Sequence, residues 1–557
     1  MKKIILLSLL FIGFLSSSEA QTKKKIMSKT TKTPFVWEGA NLYFLLVDRF
    51  NTSAKPNEIY FNRSKKASKL RGFEGGNIAG IIKKIDEGYF DKLGTNVIWL
   101  TPIVEQIHDG VDEGTGLSYG YHGYWTKDWT AIDPNFGTKK DLALLVEKAH
   151  AKGIRVMLDA VINHTGPVTK VDEVWPTDWV RTGPQCDYKN FENTTACTLV
   201  ANLPDILTES NKEVKLPAFL AEKWKKEGRY EKEMASLDAF FNRTDYPRTP
   251  KFYIIKWLTD YIAEFGIDGY RCDTVKHTEE SVWLDFKKEC DTAFENWKKN
   301  NPKKVLDDNR FYTTAEVYNY GISGGQLFDF GDRKINYFQN GFDNMINFEF
   351  KWDSKKDYET IFSKYSTLLN SSLNGFSVLN YLSSHDDGQP FDAKREKNIE
   401  SGTKLLLSPG VSQTYYGDES GRSLVIEGTV GDANLRSFMN WNALKLDSKL
   451  KKSLLHWQKL GQFRRNHPSI GAGIHEKIDS DFYVFSRTFT KGKYTDKTVV
   501  GLDLPKGYKN IAVGKIFKNG TKLKDCYSGK TSMVVDGKAA ISSAFDVVLF
   551  ELLNSRD

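Results

Sequence analysis

The sequence predicts an α/β protein: a (β/α)8 TIM barrel with an inserted subdomain after strand 3 and a C-terminal antiparallel β-sandwich. Three observations predict it. Short apolar runs alternate with stretches of helical periodicity at intervals of several tens of residues. Eight such runs can be counted, and several end in Asp, Glu or His. Beyond about residue 468 the rhythm changes to short alternating segments separated by Gly, Lys and Asp turns.

Taken in order, residues 1–20 read as a secretory signal. Lys2 and Lys3 precede an apolar run over 4–15, too short to span a bilayer, and small residues lead to Ala20. The mature protein is therefore expected to be exported, periplasmic or secreted, with no membrane association. Residues 21–38 are polar and Lys/Thr-rich, a flexible lead-in. Strand 42–47, helix 78–93, strand 97–100, helix 139–152 and strand 154–162 follow, the last ending in Asn163-His164. The rhythm then stops. Residues 165–247 are too long for a structureless loop, so an inserted subdomain is expected, with a charged helical stretch over 219–234.

Helix 252–265 resumes the alternation, followed by strand 267–272, helix 279–298 and strand 311–315, which ends at Glu316. Strands 344–350, 377–382 and 411–416 complete the set, and helix 449–463 closes it. The catalytic barrel is thus expected over 39–164 and 248–466, and the β-sandwich over 467–557, with strands at 482–489, 498–502, 511–516 and 547–552.

The 557 residues are too many for one small core. Net charge is +8, but the bases are interleaved with acids, which disfavours nucleic-acid binding. Aromatics make up 13% of the chain, a composition that suits stacking on sugar rings as well as a large core. Of five Cys, Cys186 and Cys197 lie close together in a polar stretch and are expected to form a disulfide, and no spacing resembles a zinc site.

The chemistry centres on the stretch from Gly266 to His277. Arg271 and Asp273 stand two apart on one strand and point to the same face. An Arg beside a carboxylate holds it ionised and oriented, either as a nucleophile or as half of a structural ion pair. Asp273, Glu316 and Asp386 each follow a different strand, so a closed barrel would gather them at one mouth. Glycoside hydrolysis with retention needs such a set: one carboxylate attacks the anomeric carbon and a protonated carboxyl feeds the leaving oxygen.

With these residues in view, the chain resembles the alpha-amylase superfamily of glycoside hydrolases over nearly its whole mature length. Four short signatures match in order: Asp159 to His164, Gly269 to His277, Ala315-Glu316-Val317, and Ser384-His385-Asp386. Supporting matches run over Tyr121-His122-Gly123-Tyr124-Trp125, Leu203-Pro204-Asp205-Ile206 and Tyr415 to Glu419. The resemblance implies Asp273 as nucleophile, Glu316 as general acid/base and Asp386 as third acid. It implies His122, Tyr124, His164, Arg271 and His385 around the sugar ring, and Lys276 and His277 on the leaving-group side. It also implies a structural Ca2+ held by Asn163, Asp205 and the carbonyl of His277.

Read by themselves, Trp125 is expected to be core, Asp159 structural, Asp48-Arg49 an ion pair, and Asp418 and Glu419 supports of the barrel rim. Three functions remain open at this stage. One is hydrolysis of α-1,4-glucans such as starch or maltooligosaccharides. Another is action on α-1,6 links, cyclodextrins or pullulan, or glycosyl transfer. The third is non-catalytic carbohydrate binding, disfavoured because all three acids are present.

Overall fold

Eight parallel strands close on themselves in a computed structural model that describes residues 33–53 and 59–553. They are β1 (Asn41–Leu45), β2 (Val97–Leu100), β3 (Arg155–Ala160), β4 (Gly269–Cys272), β5 (Tyr312–Ala315), β6 (Asn344–Asn347), β7 (Ser377–Tyr381) and β8 (Val411–Tyr415). Each pairs with its neighbours in sequence order, and β8 returns to β1, where Phe44 lies opposite Tyr415 on one side and Trp99 on the other. Every residue of these strands is buried; β2 is apolar throughout, whereas β3 to β8 also bury polar side chains such as Asp159, Arg271, Thr314 and Asn347. The expected signal over 1–20 lies outside the described residues, as does the lead-in up to residue 32. Among the described residues no helix is long and apolar enough to cross a membrane.

The outer helices carry the local signals that start and stop them. Thr138 and Asp141 form a reciprocal capping box on Lys139–Ala151. Asn77 caps Ile78–Asp86, and Asp447 caps Ser448–Asn466. Pro250 opens Pro250–Phe265, and Gly266 closes it at φ 70°, where an added Cβ would meet the Trp297 ring at 2.0 Å.

Glycines also account for two departures from expectation. The single helix expected over 78–93 divides into Ile78–Asp86 and Tyr89–Lys92 at Gly88, φ 68°. The helical stretch expected over 219–234 is two helices, Ala218–Lys226 and Tyr230–Thr244, parted by Gly228 at φ 70°. Two further barrel helices, Tyr358–Leu369 and Asn398–Leu407, were not anticipated.

Between β3 and the helix Pro250–Phe265, the chain builds a two-stranded ladder (Val180–Arg181 with Asp205–Ile206), a short turn of helix at Glu192–Thr195, and those two helices. This region shares the barrel's hydrophobic core rather than owning one. Trp175, Trp179 and Trp224 from the insertion pack in a chain of ring contacts with Trp129 and Trp257.

The C-terminal strands run in one eight-stranded ladder from Ile474–Lys477 to Gly507–Ala512. Val484, Ile511, Leu523 and Val534, spread along that ladder, meet in one cluster, so the two layers of a sandwich are halves of one curled sheet. The strand expected at 511–516 lies earlier, at Gly507–Ala512. His467 joins the barrel to this sheet: its ring nitrogens lie 2.8 Å from Asp496 and 2.7 Å from Glu551.

Burial alone would lower the pKa of His467, but the hydrogen bonds to Asp496 and Glu551 outweigh it and raise the group from 6.5 to about 9. Its contribution to stability is therefore complete below about pH 6.5 and lost as pH rises through about 9. Urea melts of His467→Gln should show about 3 kcal/mol less stability than the parent at pH 6 and a difference that closes by pH 10. A difference independent of pH would remove the charged histidine from the account.

Candidate active site

The catalytic candidates converge because β3, β4 and β5 are adjacent and in register. Arg271 lies opposite Asp159 of β3 on one side and Thr314 of β5 on the other. From there its guanidinium reaches three carboxylates: Asp159 at 2.9 Å, Asp273 at 2.6 Å and Glu316 at 2.8 Å. Asp273 follows β4 directly, and Glu316 follows β5. The backbone ties those two strand ends together: Val275 N–H donates to the Glu316 carbonyl at 2.9 Å, and Thr274 N–H to the Glu316 carboxylate at 2.8 Å. Asp159, expected to be structural, is held by the Tyr124 hydroxyl at 2.8 Å and by Trp99 Nε1 at 3.2 Å.

Asp386 stands in the turn after β7. Its side chain is 38% exposed and accepts a hydrogen bond from Ser384 at 2.9 Å. His385 beside it is buried and stacks on the Tyr124 ring, 5.1 Å between centroids. On the other side, His122 Nδ1 accepts from the Tyr124 N–H at 3.0 Å, and the rings of His122 and Tyr124 lie 5.8 Å apart. His164 places Nε2 3.2 Å from the Tyr124 carbonyl, and its buried Nδ1 has no partner. Thus Asp273, Glu316, Tyr124, His122, His164, Arg271, Asp386 and His385 form one connected group. Lys276 and His277 follow β4 in a 3-10 turn, Val275–His277, at the edge of that group.

The electrostatics are unequal by design of position. Burial, with Asp273 and Asp386 nearby, outweighs Arg271 and pushes Glu316 up to about 8. Asp159 is pushed up to about 7, by burial and by Asp273 against Arg271. Asp386 moves the other way: burial raises it, but His385, Arg271 and the Ser384 hydrogen bond more than offset that and hold it below the usual carboxylate range. Burial pushes His385 and His277 down to about 4, and lowers His164 and His122 as well, so these rings are neutral near pH 7.

The description of the alpha amylase catalytic domain family matches residues 44–471. The chain belongs to the alpha-amylase family. It is therefore a glycoside hydrolase of a family that acts on α-glucans. It is 34% identical over 500 residues to a periplasmic alpha-amylase of Escherichia coli (strain K12), covering 80% of this chain and 69% of that protein. It is 28% identical over 464 residues to a cyclomaltodextrin glucanotransferase of Geobacillus stearothermophilus, covering 81% of this chain but 58% of that one. The alpha-amylase of Geobacillus thermoleovorans complexed with acarbose shares the fold: TM-score 0.65, 21% identity, 94% of this chain and 100% of that chain covered.

Two of the expected metal ligands, Asn163 and Asp205, lie on neighbouring segments where the insertion joins the barrel. Ile206 N–H donates to the Asn163 carbonyl at 2.8 Å, and Asp205 bridges to His164. Thr278, next to His277, donates its hydroxyl to Asn163 Oδ1 at 3.3 Å, while the buried Asn163 Nδ2 has no partner. A half-turn of that carboxamide lets its nitrogen donate to Thr278 and leaves an unpaired oxygen in the buried position. The donor set then suits a hard cation. Arg181 Nε lies 2.9 Å from Asp205 Oδ2 and supplies some positive charge there already. Among the described residues no three His, Cys, Asp or Glu side chains group as a metal site, so a cation would rest on amide and carbonyl oxygens with one carboxylate.

Cys186 and Cys197 are joined, with 5.0 Å between their Cα atoms. Residues expected to be structural are so: Asp48 pairs with Arg49 in full burial, Glu419 accepts from Tyr43, Asp418 binds Ser383 and Arg395, and Trp125 packs with Ile107 and Leu203. One neighbour escaped the sequence reading. Arg436 donates to the His385 carbonyl at 2.8 Å from a 3-10 turn, Gly431–Arg436, outside any strand end, where no local pattern marks it.

Arg271→Met leaves Asp159, Asp273 and Glu316 without their shared counter-charge. Denaturant melts at pH 7 should show about 3–5 kcal/mol of lost stability. A variant as stable as the parent would mean the three acids do not depend on this guanidinium.

Proposed function

We propose that the protein is an exported retaining hydrolase of α-1,4-glucosidic bonds in starch or maltooligosaccharides. One observation carries this reading: a single guanidinium joins Asp273 and Glu316 at adjacent strand ends, and burial pushes Glu316 up to about 8. Retention needs such a pair, with carboxyl groups about 5–5.5 Å apart. Asp273, paired with Arg271, attacks the anomeric carbon as the glycosidic bond breaks. Glu316, protonated near neutral pH, gives its proton to the leaving oxygen. The glycosyl ester on Asp273 is then hydrolysed by a water whose proton returns to Glu316.

Asp386 accepts hydrogen bonds from sugar hydroxyls and its charge stabilises the positive anomeric centre in the transition state. Tyr124 lies beneath the ring being cleaved. His122, His164 and His385, being neutral, offer hydrogen bonds without placing a second positive charge beside that centre. Lys276 and His277 face the leaving chain.

Asn163, Asp205 and the His277 carbonyl would hold one Ca2+, which supplies a structural tie between insertion and barrel. Export rests on the apolar run over 4–15, on a disulfide suited to an oxidising compartment, and on similarity to a protein named as periplasmic. Glycosyl transfer is the competing reading, because cyclomaltodextrin glucanotransferases match at 28% identity.

Asp273→Asn should lose reducing-sugar release from soluble starch by several orders of magnitude with an unchanged melting temperature. Substantial residual turnover would remove Asp273 as nucleophile. Because the acid must hold its proton, kcat/KM should fall as pH rises through about 8, and Glu316→Gln should abolish that limb together with activity on unactivated substrates. Cyclodextrin as the main product from starch would favour transfer over hydrolysis. Elemental analysis should find one calcium per chain, and a chelator should lower the melting temperature by several degrees. An unchanged melt would leave Arg181 as sufficient charge for Asp205.

A further inference from the structure

After β2 the chain makes an excursion in which Val104–Gln106 pairs antiparallel with Thr126–Ile132. With residues 166–175 of the insertion and the helix Ala218–Lys226, this ladder bounds a chamber of about 740 Å3. That volume falls within the roughly 300–1,000 Å3 of small-molecule sites. Among the described residues that line it, none belongs to the catalytic group.

The chamber has an aromatic wall and an apolar lip. In the wall, Trp175 and Phe219 meet edge to face with 5.3 Å between ring centroids. At the lip, Phe61 is 47% exposed and Val171 59%. The backbone of Phe61 stands at φ 60°, a left-handed conformation that a bulky residue avoids, and Asn62 follows at φ 54°. Both flanks are anchored: Tyr60 N–H donates to Asn135 at 2.9 Å, and the buried Arg63 donates to Asp133 at 2.8 and 2.7 Å. Strained backbone persists where the surroundings impose it. Here the result is a half-exposed ring laid flat on His108, 3.8 Å between centroids, at the edge of the chamber.

The polar groups of the wall cancel one another's charge. Glu105 lies 2.9 Å from His108 Nε2 and 2.7 Å from Lys223 Nζ. Asp172 pairs with Lys127 at 2.5 Å and accepts the His108 backbone N–H at 2.9 Å. Each carboxylate already has its ammonium, so a charged ligand would be desolvated without a free counter-charge. A neutral molecule with hydroxyl edges fits instead: carboxylate oxygens accept from hydroxyls, and ammonium groups donate to them. Thr126, which also lines the chamber, adds a buried hydroxyl with no partner. A pyranose combines such edges with an apolar C–H face that stacks on aromatic rings.

We propose that this chamber is a second α-glucan site, which holds a short segment of the polymer away from the bond being cleaved, with Phe61 and Val171 as its lip. The inference rests on the reading of the protein as active on α-glucans and adds a place where long chains are retained between cleavages.

Calorimetry of Asp273→Asn with maltotriose should show two sites. Adding Phe61→Ala, or independently Val171→Arg, should leave one. In the active enzyme, either lip substitution should lower kcat/KM on amylose by about fivefold. On p-nitrophenyl α-maltotrioside, too short to reach both sites, the change should be less than twofold. Phe61→Tyr, which keeps the ring, should match the parent on both substrates. Both lip side chains are about half exposed, so the melting temperature should be unchanged. A single maltotriose site in Asp273→Asn, or equal losses on the two substrates, or no loss on amylose, overturns the proposal. A parent inert on amylose would overturn the hydrolase reading, while two maltotriose sites with one lost in the lip variants would still support the chamber as a glucan site.

Discussion

One guanidinium organises the site. Arg271 is buried to 1% and would be prohibitively costly there without partners, yet it is surrounded by an excess of them. Asp159, Asp273 and Glu316 all contact it. Three carboxylates around one cation cannot all stay ionised in a medium of low dielectric. A proton must be retained within the set, and it is Glu316, pushed up to about 8, that holds it most strongly. The raised proton affinity of Glu316 follows from burial and from this shortage of positive charge.

That arrangement depends in turn on closure of the sheet. β3, β4 and β5 are contiguous in the ladder although an insertion of more than eighty residues separates β3 from the helix before β4. Asp386 arrives from β7, across the barrel, and reaches the group because β8 pairs with β1. The insertion does not float on this frame. Its tryptophans pack onto Trp129 and Trp257 of the barrel, so it is seated on the barrel's core.

Residue type alone does not distinguish the working acids from their neighbours. Asp48, Asp418 and Glu419 are as buried as Asp273 and also lie near strand ends. Each is fully engaged elsewhere: Asp48 by Arg49 and the backbone of Glu74 and Gly75, Asp418 by Ser383 and Arg395, Glu419 by Tyr43 and Tyr89. A sequence reader separates them by which short pattern surrounds each acid. The fold separates them by whether an oxygen is left facing the cleft.

The first strand runs were legible because a parallel strand buried on both faces is mostly apolar, and β2 lies where its four-residue run predicts. Asp273, Glu316 and Asp386 were legible because each lies at or shortly after the end of a strand. The breaks at Gly88 and Gly228 were harder to read, since a glycine inside a helical pattern either is tolerated or turns left-handed, and only packing chooses. Arg436 was not legible at all. Its contact with the His385 carbonyl joins segments far apart in the chain, and nothing in the flanking residues encodes a distant neighbour. Sequence by itself determined the rhythm of elements and the chemical types at their ends, because hydrophobic periodicity and local capping are short-range. Tertiary structure decided which of those ends share a counter-charge, because proximity across a closed barrel is a property of the ladder and not of any one stretch.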